Sequence, residues 1–270
     1  MQSEYGVTSS NLFEDFRSSL SRRAFWVYSA WLDIILKYRE TKIGPIWIVL
    51  STFLFIVLLG SIYFTMLGGN NPARYFVHLA TGLVLWQFIQ GVLLGACGVF
   101  VSNKNFLFQG RSTLTDFISY LLFNNLILML HNFVIVIAVF IYFSKTVPLE
   151  AMYSIFGFLI LFGNVTWMVV ALSILGTRYK DIAEIMQFII RISFLATPII
   201  WMPTFEKAHA LGGLLYLNPF YYLLEVVRAP LQGELPTWEI WCAPIVALFL
   251  GWAGAAILYR RYASYVAVWL

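Results

Sequence analysis

Asp181 and Glu184, three residues apart beside a long apolar run, are the nearest approach in this chain to a paired-carboxylate site. Membrane-embedded glycosyl and phosphoryl transferases present acidic pairs near the interface. Acid at this spacing is equally the ordinary furnishing of a helix's first turn, where the helix dipole favours it. The other reactive residue types are scattered. His78, His131 and His209 lie far apart, without HExxH or other ligand spacing. Cys97 and Cys242 sit in separate apolar runs and suggest neither a disulfide framework nor a zinc site. No GxxxxGK(S/T) phosphate loop occurs, so the chain by itself is not expected to bind and hydrolyse ATP. An enzyme reading therefore finds no catalytic group and no metal set to rest on.

Polar residues inside apolar sequence carry more information, because each is costly in lipid and faces a bundle interior or a cavity. Asn124 and His131 are seven residues apart, as are Asn125 and Asn132, which places a polar stripe along one helix. Interhelical hydrogen bonding and a pore lining are both open readings of that stripe. Gly91, Gly95 and Gly98 form a small-residue face suited to close helix packing, with a dimer interface as one place for it. Aromatic residues make up 18% of the chain, more than an interfacial belt alone requires. Tyr63, Phe64, Tyr75, Trp201, Tyr216, Phe220, Tyr221 and Tyr222 gather toward the outward ends of the expected spans. The negative ring face suits the C–H faces of sugars, and belt or packing roles are the alternative for each residue.

The elements that must position these residues follow from composition. Hydrophobic residues are 61% and charged residues 11% of 270, against roughly a quarter charged in a soluble domain. A bilayer core of about 30 Å takes roughly 20 apolar residues as helix. Such runs predict an all-α membrane protein with six spans, at about 46–67, 77–101, 117–143, 154–176, 185–202 and 240–258. The fifth carries Arg191 and is expected to kink at Pro198. Twelve Lys and Arg residues then fall on the side of the termini and of the 102–116 and 177–184 loops. Only Arg74, Lys145, Lys207 and Arg228 fall on the other. The positive-inside rule places the richer side, with both termini, in the cytoplasm. The charged first 24 residues contain no apolar signal-peptide core.

Two junctions stand out. Trp26, Tyr28, Trp31, Leu32, Ile35 and Leu36 share a broad apolar side of a helix ringed by Arg22, Arg23, Asp33, Lys37 and Arg39, as in a helix lying in the headgroup plane. Gly44 and Pro45 then form a corner that turns the chain into the first span. Between the last two spans, 208–217 and 220–227 are apolar pieces too short to cross. They predict a re-entrant pair of half-helices joined at Asn218-Pro219, with Asn218 as a cap and Glu225 paired to Arg228. The domain plan is a single transmembrane unit: 1–45 cytoplasmic and interfacial, 46–202 holding five spans, 203–239 the outer re-entrant segment, 240–258 the last span and 259–270 a cytoplasmic tail.

With these junctions the chain resembles, over nearly its whole length, the membrane subunits of type-2 ABC exporters of lipid-linked polysaccharide, the O-antigen, capsule and teichoic acid class. Four places carry the resemblance: Lys37-Tyr38-Arg39 before Ile43-Gly44-Pro45-Ile46-Trp47; Arg178-Tyr179-Lys180-Asp181-Ile182 before a span ending in Thr197-Pro198; Leu217-Asn218-Pro219-Phe220 followed by Arg228; and the tail Tyr259-Arg260-Arg261-Tyr262. The resemblance implies a homodimer in the bacterial inner membrane, bound to two separate ATPase subunits that use ATP and Mg, with no cofactor on this chain. It places the Trp26 to Arg39 region near the cytoplasmic gate, where Arg22, Arg23, Lys37, Tyr38, Arg39 and Lys42 are candidates for a substrate-headgroup and gate region, with enforcement of topology as the alternative for each basic residue. It implies channel aromatics at Tyr63, Phe64, Trp201, Tyr216, Phe220, Tyr221 and Tyr222. It further implies ATPase coupling through Asn103, Lys104, Phe106, Leu107, Phe108, Arg178, Tyr179, Lys180 and Asp181. One departure is visible: relatives carry a Pro-containing element after the first coupling helix, where this chain has Gly110-Arg111-Ser112-Thr113. A type-2 permease for drugs or small lipids shares the architecture but tends to have a larger outer domain than 203–239. A stand-alone transporter is the remaining alternative.

Overall fold

The computed structural model describes residues 11–40, 42–44, 46–66, 71–109, 112–143, 148–202 and 212–270, with backbone alone for Tyr38 and 212–214. Every regular element among them is a helix. α1 (Leu12–Ser21) and α2 (Arg23–Tyr38) precede the long apolar α3 (Ile46–Met66). α4 (Pro72–Ala96) returns alongside it and gives way to the short α5 (Val99–Ser102) and α6 (Lys104–Phe108). α7 (Leu114–Phe143), a 3-10 turn at Leu149–Met152, α8 (Tyr153–Arg178) and α9 (Asp181–Ala196) follow. α10 (Gly212–Leu217) and α11 (Pro219–Leu231) lead to α12 (Trp238–Tyr262). A second 3-10 turn (Ala263–Tyr265) and α13 (Val266–Trp269) end the chain.

Among the described residues, five helices are long and apolar enough to cross a membrane: α3, α4, α7, α8 and α12. They match five of the six predicted spans, with several starts moved outward. Asn71 explains one: its side chain accepts from the Arg74 amide at 3.1 Å and Pro72 takes the first helical position, so α4 begins five residues before 77. The predicted fifth span differs. α9 begins at Asp181, with Asp181 and Glu184 in its first turn, and stops at Ala196. At about 24 Å it is shorter than the hydrocarbon core. Pro198 is the cause: Thr197 before it is forced to extended geometry (φ −86°, ψ 136°), so the proline ends the helix rather than kinking it.

α4 is the axis of the bundle, buried from Tyr75 to Ala96 over most of its length, with α3, α7, α8, α9 and α11 around it. Gly91 and Gly95 let α7 approach: a Cβ on Gly91 would strike Asn125, and one on Gly95 would lie 2.6 Å from Leu121 Cδ1. Gly98 has nothing within 4 Å of such a carbon, so two of the three small residues make the predicted close contact, and they make it within the chain. α12 packs on α8 and α11 and leaves Val246, Phe249, Leu250 and Ile257 exposed. α3 likewise turns Phe53, Leu54, Leu58 and Ile62 outward, the dress of a lipid-facing helix.

Contacts between helix ends give the bundle two distinct faces. At one, Gly176 abuts the Cys97 backbone, Arg22 pairs with Asp116, Asp15 accepts from Tyr259 Oη at 2.6 Å, and Arg178 stacks on Trp269. This basic end gathers the start of α7, the ends of α4, α8 and α12, and both α1 and α2. At the opposite end Pro198 meets His78, and α11 packs on the first turns of α8 through Ser154 and Gly157. α9 therefore runs from one end of the bundle to the other.

Candidate functional site

At the basic end, α1 was not anticipated, although its signal is present: Asn11 caps it, Glu14 and Asp15 fill its first turn, and Leu12, Phe13 and Phe16 supply an apolar side. Phe13 stacks on Trp252 at 5.7 Å and Phe16 meets the same ring edge-on. α2 then crosses α7. Its neighbours Phe25 and Trp26 meet Phe117 and Phe123, Ala30 O accepts from Asn124 Nδ2 at 3.2 Å, and Tyr120 Oη donates to Asp33. Such pairings do not advance in register, as they would for helices lying side by side. The face away from α7 exposes Tyr28, Trp31, Ile35 and Leu36, an apolar stripe suited to the headgroup boundary.

The six headgroup candidates divide. Arg22 is committed to the protein: Nη2 lies 2.9 Å from the fully buried carboxylate of Asp116, donates to Thr113 Oγ1 at 2.8 Å and reaches Ser18 Oγ. It thereby fastens the α1–α2 corner to the start of α7. Arg23, Lys37, Arg39 and Lys42 are exposed, and the Tyr38 side chain lies outside the described residues. At the expected corner Gly44 adopts φ 62°, a left-handed conformation that favours glycine, while Pro45 lies outside the described residues.

The proposed coupling segments are neighbours at this same end. Asn103 Nδ2 donates to Val99 O at 2.8 Å and holds the α5–α6 turn. Lys104 starts α6, Leu107 is buried, and Phe106 and Phe108 are about half exposed. Gly110 and Arg111 lie outside the described residues. Gly176 carries the second segment against the first, since its added Cβ would lie 2.8 Å from Cys97 Cα. Beyond it Arg178, Tyr179, Lys180 and Asp181 are exposed.

The opposite end holds a second buried polar cluster, and it forms around the break after α9. Non-helical backbone in an apolar setting must find partners within the protein. Tyr75 Oη donates to Ile200 O at 2.9 Å, and His78 Nε2 lies 2.8 Å from Pro198 O and 3.2 Å from Trp201 O. Arg228, wholly buried, donates from Nη1 to Pro198 O at 2.5 Å. It also places that nitrogen 3.2 Å from His78 Nε2 and pairs through Nε and Nη2 with Glu225. Asn218 does double duty: Oδ1 caps α11 at the Phe220 amide, 3.0 Å, and Nδ2 donates to Thr197 Oγ1 at 2.7 Å. The predicted cap and the Glu225–Arg228 pair are thus present. What spacing did not announce is that His78, 150 residues from Arg228, completes the cluster.

The seven aromatic candidates separate into groups. Tyr216, Tyr221 and Tyr222 adjoin one another, with Tyr222 Oη donating to Tyr216 O at 3.0 Å and the 221 and 222 rings 5.4 Å apart. Phe64 packs on Tyr75, Tyr63 packs half-buried beside it, and Trp201 Nε1 donates to Leu195 O. Phe220 instead enters the core against Trp86, 5.6 Å away, so its ring is committed to packing.

The polar stripe of α7 bonds largely to protein. Asn132 Nδ2 donates to Gln87 Oε1 at 3.0 Å, and Thr52 Oγ1 approaches the same oxygen at 3.5 Å, joining α7, α4 and α3. Asn124 binds α2, while Asn125 and His131 turn to carbonyls one turn back in α7. Asn132 Oδ1 alone in this group is buried without a partner. Among the described residues, no three His, Cys, Asp or Glu side chains come together as a metal set.

A family model described as the ABC-2 type transporter matches residues 25–231, well over half of the chain. The match begins in α2 and ends at the last residue of α11, so it spans both polar ends of the bundle. No curated protein matches the chain.

Proposed function

Because the chain belongs to the ABC-2 type transporter family and is therefore the membrane permease component of an ABC-type exporter, we propose that its cargo is a lipid-linked polysaccharide. The carrying observation is α2, which crosses α7 with an exposed apolar stripe on its far face and delivers Lys37, Arg39 and Lys42 to the corner before α3. An anionic lipid head arriving in the leaflet at the basic end meets these charges first. We assign that end to the cytoplasm of the bacterial inner membrane, with six spans, α9 serving as the short fifth, and α10–α11 re-entrant from the outside.

In this reading the working unit is a homodimer with two ATPase subunits. They hydrolyse ATP with Mg and engage α6 together with Tyr179, Lys180 and Asp181. Closure of the ATPases alternates access to a channel along the dimer axis, and the sugar chain slides past the Tyr216, Tyr221 and Tyr222 group, whose rings offer weak, sliding contacts.

Basic residues near anionic headgroups contribute about 1 kcal/mol each. The double variant Arg39→Gln/Lys42→Gln is therefore expected to weaken engagement of the lipid-linked substrate about tenfold or more, with unchanged assembly. Crosslinking of the permease complex to a diphosphate-lipid probe checks this, and unaltered crosslinking and export would remove the headgroup role. A drug or small-lipid cargo would instead appear as ATP-driven transport that polysaccharide does not compete.

A further inference from the structure

We propose that a second anionic-lipid site lies at the basic end, in the cleft between the ends of α8 and α12 and the folded-back C-terminal tail, and that it binds the lipid's phosphate. The cleft has a volume of about 640 Å³. Its floor is apolar, with Ile174 fully buried and Leu258 half-buried, and its rim carries Arg178 and Arg261. Val266, wholly buried, fixes the tail in place and so holds Trp269 over the rim.

The two guanidiniums are arranged in the same way. Arg178 stacks on Trp269 at 5.3 Å and on Tyr179 at 5.7 Å, and Arg261 on Tyr262 at 5.5 Å. Among the described residues no carboxylate lies within ion-pair distance of either. Stacking occupies the face of a guanidinium and fixes its plane, and it leaves the in-plane N–H donors at the edge for an anion. Phosphate matches that fork geometry, which an ammonium group does not reproduce.

The surroundings select a lipid over a free anion. Leu258 in the floor follows Ile257, which is 69% exposed on the outward face of α12, so the cleft borders the surface that faces lipid. Tyr262, Tyr265 and Trp269 are the residue types of the headgroup layer. A ligand with an anionic head and an apolar tail satisfies both rim and floor, whereas inorganic phosphate leaves the floor uncovered. This site is separate from the α2–α3 corner; of the coupling candidates it takes Arg178, shares Tyr179, which stacks with it, and leaves Lys180 and Asp181 wholly to a protein partner. It rests on the membrane assignment alone and not on polysaccharide export.

The test uses the full chain in mild detergent, without ATPase or polysaccharide, so its failure is distinct from failure of the export reading. Binding of short-chain phosphatidylglycerol is measured against phosphatidylcholine and inorganic phosphate by native mass spectrometry and titration. Phosphatidylglycerol is expected to bind about tenfold tighter than either, and Arg178→Gln/Arg261→Gln is expected to bring it to the phosphatidylcholine level. Should that pair not fold, Trp269→Leu, which removes the ring under Arg178, is expected to weaken phosphatidylglycerol several-fold. Unchanged lipid affinity in the folded variants overturns the proposal. So does inorganic phosphate binding as tightly as the lipid.

Discussion

Arg228→Met is expected to destabilise the protein by about 3–5 kcal/mol, because it leaves the partner of a buried ion pair uncompensated. The Arg228 side chain is 1% exposed and that of Glu225 19%, so water offers the orphaned carboxylate little help. The loss extends beyond the pair. Arg228 also donates to Pro198 O, and through it α11 is fastened to the break that ends α9. Removing both charges, in Arg228→Met/Glu225→Met, should recover a substantial part of the loss, since two apolar side chains of similar size often replace a buried pair without penalty. Arg228→Lys should not recover it, because one ammonium cannot serve Glu225 and Pro198 in the fixed directions of a guanidinium. Unfolding followed by helical signal and by proteolysis near 198–228 measures all three. Equal losses in the single and double methionine variants would show that the ion pair is not what holds this end together.

Gly157→Ala is the second large effect, expected at about 3 kcal/mol, the upper range for overpacking. The added carbon would strike the Val226 carbonyl, with its carbon at 2.6 Å and the Val227 nitrogen at 3.1 Å. These are backbone atoms of α11, so no side chain can swing aside. α8 and α11 must separate, which also pulls Ser154 Oγ from Val227 O, now 2.8 Å away. Gly254→Ala supplies the control, since nothing lies within 4 Å of its added carbon. There the change should be neutral or stabilising, up to about 1 kcal/mol from helix propensity. Parallel thermal unfolding of the two variants in one detergent reads the difference directly, and similar behaviour would deny a close α8–α11 packing.

Local chemistry made much of this architecture legible. Asn218 and Pro219 announce the start of α11, Gly44 a corner in the chain, and long apolar runs the five helices fit to cross a membrane among the described residues, because each signal acts within a turn or two of chain. Pro198 was legible as a disturbance, but whether a proline kinks a helix or ends it depends on what receives the carbonyls of the chain beyond it. Here Tyr75, His78 and Arg228 receive them, from 125, 120 and 30 residues away. The candidate site was harder for the same reason. Arg22 reads as one of several basic residues at an interface until Asp116, 94 residues on, claims it. Phe220 reads as one more outward aromatic until Trp86 draws it into the core. Spacing within a segment reports what a helix face contains. It does not report which neighbour that face will meet.

The most direct measurement is ATP-dependent movement of lipid-linked polysaccharide across proteoliposomes, with the chain reconstituted alone and together with the ATPase subunit that the proposed function expects to co-purify with it. The expected result is no ATP hydrolysis and no movement by the chain alone, and both activities when the ATPase subunit is present. Hydrolysis or movement by the chain alone, or a complex that hydrolyses ATP without moving the polysaccharide, would contradict the assignment of this protein as the permease of a polysaccharide exporter.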